Sequence, residues 1–186
     1  MTIDELAELK KIIPPPKMPW CSKGDWGNIQ TEWEISLPNN YKQFIEVYGT
    51  GSLAREIAIY NFLDPDDLVI VQDTLSRLCE ARQLMDERDI TFENNHRSFP
   101  FPIYPESGGI LPWAYGADGW DFLWLTESNS NNWSILISYK NFENYFQYHD
   151  TSVPQILIML FSNPPNEVLQ IDSTFIPKKQ SNPCKD

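Results

Sequence analysis

The sequence predicts a single α+β domain, a mostly antiparallel sheet (a meander) packed with about four helices. Three observations predict it. Strand-like runs cluster between Gly109 and Ser138 instead of alternating with helices. Helical periodicity falls in separate segments on either side of that cluster. Turn residues, Asp118-Gly119 and then Asn129-Ser130-Asn131-Asn132, separate the runs as a meander requires. The most informative stretch is Gly108 to Thr126, GGILPWAYGADGWDFLWLT, where short apolar and aromatic runs are bounded by Gly, Pro and Asp.

Each element has its own local reason. Thr2 and Glu5 have capping-box spacing, and Ile3, Leu6, Leu9 and Ile13 repeat at roughly helical period. Pro14-Pro15-Pro16 ends that helix by removing backbone donors. Lys17 to Gln30, with Trp20, Trp26, Gly24 and Gly27, reads as an irregular packed connection. A second helix follows Pro38, with Tyr41, Phe44, Ile45 and Tyr48 on one face and Gly49 as its stop. Leu53 to Phe62 is β-branched and aromatic enough to be a strand. Asp64-Pro65-Asp66-Asp67 supplies an N-cap, a first-turn proline and first-turn acids for a third helix running to about Arg88.

Asp89 to Ser107 is polar and broken by Pro100, Pro102 and Pro105, so a loop leading into an edge strand is expected. Strands are then expected at Gly109–Trp113, Asp121–Thr126 and Trp133–Ser138. A last helix, apolar all round, begins near Ser152 and covers Ile156 to Phe161. After Pro164-Pro165 only Phe175-Ile176 is apolar before the tail frays. The expected organisation is a helix and packed arm over 1–28, a main domain over 29–162 and an extension over 163–186.

Charge excludes some functions. The chain of 186 residues has 14 Lys and Arg against 26 Asp and Glu, a net charge of −12. A nucleic-acid or anionic-membrane binder needs a basic face, and no basic run here exceeds two residues. An acidic field instead steers basic partners. The N-terminus has no apolar signal-peptide region, and the run Ile156 to Phe161 is too short to span a bilayer. Cys21, Cys79 and Cys184 form no CxxC pair, so inert reduced thiols in a reducing cytosol are expected. No cofactor or metal is expected, and a monomer is the simpler state.

Catalytic motifs are missing too. There is no GxSxG elbow, HExxH, P-loop or GxGxxG. His96 and His149 stand without a nucleophile motif, and a base needs a positioned partner. Glu106, Asp118, Asp121 and Glu127 lie near tryptophans, as in a sugar cleft, but glycoside hydrolysis needs two carboxyls about 5 to 10 Å apart. A non-enzyme is expected.

The segments LPNNYKQFIEVYGTGSL, PESGGILPWAYGADGWDFLWLT and NNWSIL, closed by an apolar helix, resemble the SUKH superfamily over roughly Ile29 to Ser162. The strongest pieces are Leu37-Pro38-Tyr41-Phe44-Tyr48-Gly49, Gly109-Leu111-Pro112-Trp113, Asp121 with Trp124, and Trp133. These read as scaffold: aromatics facing the core, Gly109 in an unusual backbone angle, and Trp133 with an N–H that needs a partner. The superfamily contains bacterial immunity proteins against polymorphic toxins and a fungal regulator of cell-wall synthesis. The resemblance therefore implies a non-catalytic, cytoplasmic immunity protein binding a cognate basic toxin, a nuclease being one class. A regulatory scaffold of the fungal type is the alternative, and a carbohydrate-binding or carbohydrate-active domain ranks third. Trp120 stands where the family more often has a small residue, and Gln83 to Pro102 is longer than the usual connection. Candidate contacts are Trp120 with Asp118, Glu106 and Glu127, and a second acidic group of Asp64, Asp66 and Asp67.

Overall fold

The computed structural model describes residues 4–87, 99–140, 142, 144–162 and 175–178. Helix α1 (Glu5–Ile12) is capped by Asp4, whose carboxylate accepts from the Ala7 amide, one residue pair later than the expected capping box. Thr2 lies outside the described residues. Leu9 and Ile13 are fully buried against the main core, which joins this arm to the rest. The expected irregular connection instead contains helix α2 (Trp26–Glu32). Asp25 supplies the cap by accepting from the Gly27 and Asn28 amides, enough to start a short helix despite its glycine. Helix α3 (Asn39–Tyr48) buries Tyr41, Phe44, Ile45 and Tyr48, with Pro38 at its N-cap. Gly49 follows at φ +66, where an added Cβ would sit 2.1 Å from the Trp20 carbonyl oxygen; here glycine is required by both angle and space.

The single strand expected from Leu53 is a hairpin of two short strands, β1 (Gly51–Leu53) and β2 (Ile57–Ile59). Ala54 and Arg55 make its turn at φ 54 and 65, a left-handed conformation that their residue types do not announce. Helix α4 (Pro65–Glu87) follows. Then come β3 (Ile110–Gly116), β4 (Trp120–Leu125), β5 (Ser134–Tyr139), β6 (Asn144–Tyr148), helix α5 (Val153–Phe161) and β7 (Phe175–Pro177). Ser152 caps α5, accepting from the Gln155 amide. The sheet has seven strands in the order β6-β5-β4-β3-β2-β1-β7, each pair antiparallel. Five α-helices are present among the described residues, in line with the expected α+β domain of about four.

The expectation of an edge strand after the proline loop does not hold, because β3 lies centrally between β2 and β4. Pro112 is tolerated there because the register shifts between Pro112 and Ala114, a bulge that spares a ladder donor. Strands β6 and β7 went unforeseen. β7 contains the apolar pair Phe175-Ile176 that precedes the expected frayed end, and it pairs with β1, so part of that extension closes one sheet edge.

Side-chain alternation sends the strands' residues to two layers. Trp113, Phe122, Trp124, Ile135 and Ile137 pack with α1, α3 and α5 residues in one cluster. Leu123, Leu136 and Ile110 point the other way, to Leu78 of α4, Phe99, Ile103 and Phe142. Truncating a fully buried tryptophan such as Trp113 or Trp124 would cost about 3–5 kcal/mol. Gly109 does not adopt the unusual angle expected of it. Its constraint is spatial, since a Cβ would lie 2.4 Å from the Tyr104 nitrogen. Trp133 Nε1 finds its expected partner in the Glu127 carbonyl oxygen at 2.8 Å.

Among the described residues no helix is long and apolar enough to cross a membrane. The expectation of three reduced thiols is corrected at Cys21, which is disulfide-bonded; Cys79 is free and exposed. Sequence spacing says nothing of which thiols meet in space, and Cys21 is buried next to Trp20, where the arm bridges to Gly49.

Candidate binding groove

One row of residues crosses the whole sheet in register: Ile176, Ser52, Ala58, Tyr115, Asp121, Ser138 and Tyr145. All seven share one face, because directly paired residues point to the same side. Strand spacing makes the stretch from Ile176 to Asp121 about 19 Å long. Helix α4 lies over this face. Its Asp67, Ile70, Thr74 and Arg77, at intervals of three and four, form one stripe about 15 Å long.

Over Leu123 and Leu136, α4 seats Leu78 and closes the gap. Over Ser52 and Ala58 the sheet side chains are too small to reach it, and a groove remains. It comprises two adjoining cavities of about 700 and 530 Å³ that share Tyr60, Ile70, Tyr115 and Ala117. Tyr115 is 46% exposed and Ile70 42%, a high exposure for apolar side chains lining a cavity. Tyr115 stacks on Tyr60, with centroids 5.8 Å apart. The Tyr60 hydroxyl lies 3.3 Å from Thr74 Oγ1, and burial pushes its pKa up to about 12. It stays a neutral hydroxyl at any physiological pH.

The two ends of the groove carry different charged groups. At one, Arg77 Nη2 donates to Asp121 Oδ1 at 2.8 Å. Burial raises the Asp121 pKa, and the guanidinium only partly pulls it back. Lys140 lines the same end, its ammonium 5.0 Å over the Tyr139 ring, and Trp120 packs on that ring at 4.9 Å. At the other end Lys178, just past β7, reaches Asp64 at 3.0 Å, Asp66 at 3.3 Å and Asp67 at 3.5 Å. Burial pulls the Lys178 pKa down, but the three carboxylates outweigh it and leave it raised. Asp67 is pushed up from 3.8 to about 6 by burial, against the Asn61 amide and Lys178, which lower it.

The seven sequence-derived candidates fall in three places. Trp120 opens β4 at one end of the groove and is half-buried. Asp118 belongs to the short turn before it, and its side chain lies outside the described ones. Glu127 follows the far end of β4, about 17 Å along the strand, and is exposed. Glu106 is paired with Arg82 at 2.6 Å away from the groove. Glu106 and Glu127 therefore do not meet Asp121 in a sugar-cleaving arrangement. Asp67 lines the groove's other end, Asp64 is buried beneath it, and Asp66 is exposed. Asp64 also accepts from Thr50 Oγ1 and from the Asp66 amide, a capping role. His149 Nδ1 lies 3.0 Å from Ser134 Oγ, outside the groove, and His96 lies outside the described residues.

Sequence reasoning missed Ile70, Arg77, Tyr115, Lys140 and Lys178. The α4 stripe was readable as helical spacing, but nothing local indicated that Lys178 would meet Asp64. Fold and site together define an α+β domain with an open, partly aromatic groove of unlike ends. No family model, curated protein or solved structure matches the chain.

Proposed function

We propose that this chain is a non-catalytic immunity protein of SUKH type that neutralises a cognate, basic protein toxin by stoichiometric binding. The observation that carries the reading is the groove, where Tyr115 and Ile70 stand half-exposed beside Trp120 on a chain of net charge −12. Aromatic and aliphatic anchors in a concave site supply short-range affinity. The acidic field supplies steering toward a basic partner. The resemblance of the Leu37–Leu53 and Pro105–Thr126 segments to that superfamily supports the same reading. Asp64, Asp66 and Asp67 take part mainly through field, since each already meets Lys178.

The toxin would act, and be met, in the cytoplasm; the Cys21 disulfide is the observation that weighs against a reducing compartment. Co-expression with the toxin encoded beside its gene tests the function. Survival with a complex stable in gel filtration is expected, and lethality with no complex refutes it. A carbohydrate-binding reading draws on Tyr115 and Trp120 at the groove wall. Tryptophan fluorescence unchanged across a panel of oligosaccharides removes it.

A further inference from the structure

We propose that the outer edge of β6 pairs antiparallel with the β6 of a second copy of this chain, about a two-fold axis at Phe146, making a weak homodimer. The proposal is independent of the groove and of the toxin-binding reading.

The two outer strands of the sheet are built differently. β7 has three residues, ends at Pro177 and is followed by Lys178, and a short strand with proline and lysine beside it resists further pairing. β6 has five residues, Asn144–Tyr148, with no proline and no charged side chain. It pairs with β5 in unbroken register, so no bulge twists its edge away. Among the described residues no other hydrogen bond reaches these five, which leaves one row of backbone donors and acceptors open.

Both faces of this edge carry uncovered aromatic surface. On one, the row Phe122, Ile137 and Phe146 runs outward in register from the core, the first two buried and Phe146 53% exposed. On the other, Tyr145 leans on Phe101 at 5.3 Å and Phe142 at 5.9 Å yet stays 44% exposed. A further strand laid beside β6 continues both rows and covers both rings.

Charge and symmetry choose the occupant. The chain carries −12, so two copies repel over most of their surfaces, and an uncharged strand is where they can approach. A basic partner gains no ion pair along a strand with no acid. Overlap of all five residues puts Phe146 opposite Phe146, Tyr145 opposite Gln147 and Asn144 opposite Tyr148. The central aromatic pair is favourable, and no like charges meet. The strand is about 17 Å long. An interface that small falls below the roughly 1,600 Å² of a standard one, so the dimer is weak and depends on concentration.

Sedimentation equilibrium of the full chain from about 5 to 500 µM tests this. The average mass is expected to rise from one chain toward two, half-way near about 50 µM, while amide exchange at residues 144–148 slows. Raising salt from about 50 to 500 mM is expected to strengthen the dimer about two-fold or more, because screening weakens the repulsion between copies. Phe146→Lys and Phe146→Glu, at an exposed position, are each expected to be folded and to lose about ten-fold or more in self-association. Mixed in equal amounts they are expected to dimerise again, since the two-fold axis sets lysine against glutamate.

A wild-type chain that stays monomeric at about 500 µM overturns the proposal. So does a dimer that survives in both variants, or a mixture of the two folded variants that does not re-associate. Slowed exchange at residues 144–148 in a toxin complex, with no self-association of the free chain, also overturns it and assigns the strand to the toxin.

Discussion

Replacing Asp67 with asparagine separates two opposing effects at the start of α4. Asp67 is 6% exposed, and burial raises its pKa from 3.8 to about 6 even though Lys178 and the Asn61 amide both favour its charge. The folded protein therefore holds this proton more tightly than the unfolded chain does. The sign follows: ionisation subtracts stability, the loss being absent below about pH 4, growing between about pH 4 and 6, and complete above. A shift of roughly two units corresponds to about 3 kcal/mol. Asparagine cannot ionise, keeps an oxygen for the Asn61 amide, and leaves Lys178 with Asp64 and Asp66. Urea unfolding of both proteins from pH 4 to 8 should show the variant gaining on the wild type by up to about 3 kcal/mol as pH rises, then levelling. Subtraction cancels the groups common to both. A difference flat in pH refutes the burial argument. One that slopes the other way shows that the pairing with Lys178 outweighs desolvation.

Other outcomes follow from single contacts. Trp133→Phe, which loses the Nε1 bond to Glu127, should cost about 1 kcal/mol more than Trp113→Phe, whose buried Nε1 has no acceptor among the described residues; equal losses in chemical denaturation would contradict this. Gly109→Ala should cost about 3 kcal/mol or prevent folding, because its Cβ would overlap the Tyr104 nitrogen; a neutral result by thermal unfolding would contradict the packing there. Non-reducing peptide mapping should find Cys21 in a disulfide and Cys79 as a free thiol, and a free thiol at Cys21 would contradict it. Ala58→Leu should fill the groove floor, leaving stability within about 1 kcal/mol while weakening the complex with the toxin under the proposed function; undiminished affinity places the toxin elsewhere.

The helices were legible where periodicity and caps agree, as at Tyr41, Phe44, Ile45 and Tyr48 or at Ser152 before α5. The meander from β3 to β5 was legible because apolar runs alternate with Gly, Asp and Asn turns. What escaped lacks such a signal. β6 is exposed along most of its length, so NYFQY shows no buried face to give a period. β7 has three residues and exists by pairing with β1, a partner far away in sequence. The β1–β2 turn uses Ala54 and Arg55 at positive φ, where Gly or Asn would have marked it. The groove was illegible for the same reason as β7. Its floor joins positions 52, 58, 115, 121 and 176, brought together only by strand register.

That origin bears on how a partner would be recognised. The acids singled out from sequence are largely engaged within the fold: Asp64 in capping and in Lys178, Asp67 in the Asn61 amide and Lys178, Glu106 in Arg82. Extracting Asp64 or Asp67 for a partner would leave a charge or an amide unsatisfied in a buried place, which costs more than a surface pair returns. Under the proposed function the excess of 26 acids over 14 cations therefore acts on approach, over a screening length of about 8 Å. Contact itself is left to side chains that the fold leaves partly uncovered, foremost Ile70 and Tyr115, whose exposed surface is apolar and gains by being covered. Salt should accordingly slow association of any complex more than it hastens dissociation, and the reverse pattern would place buried charge pairs at the heart of the interface.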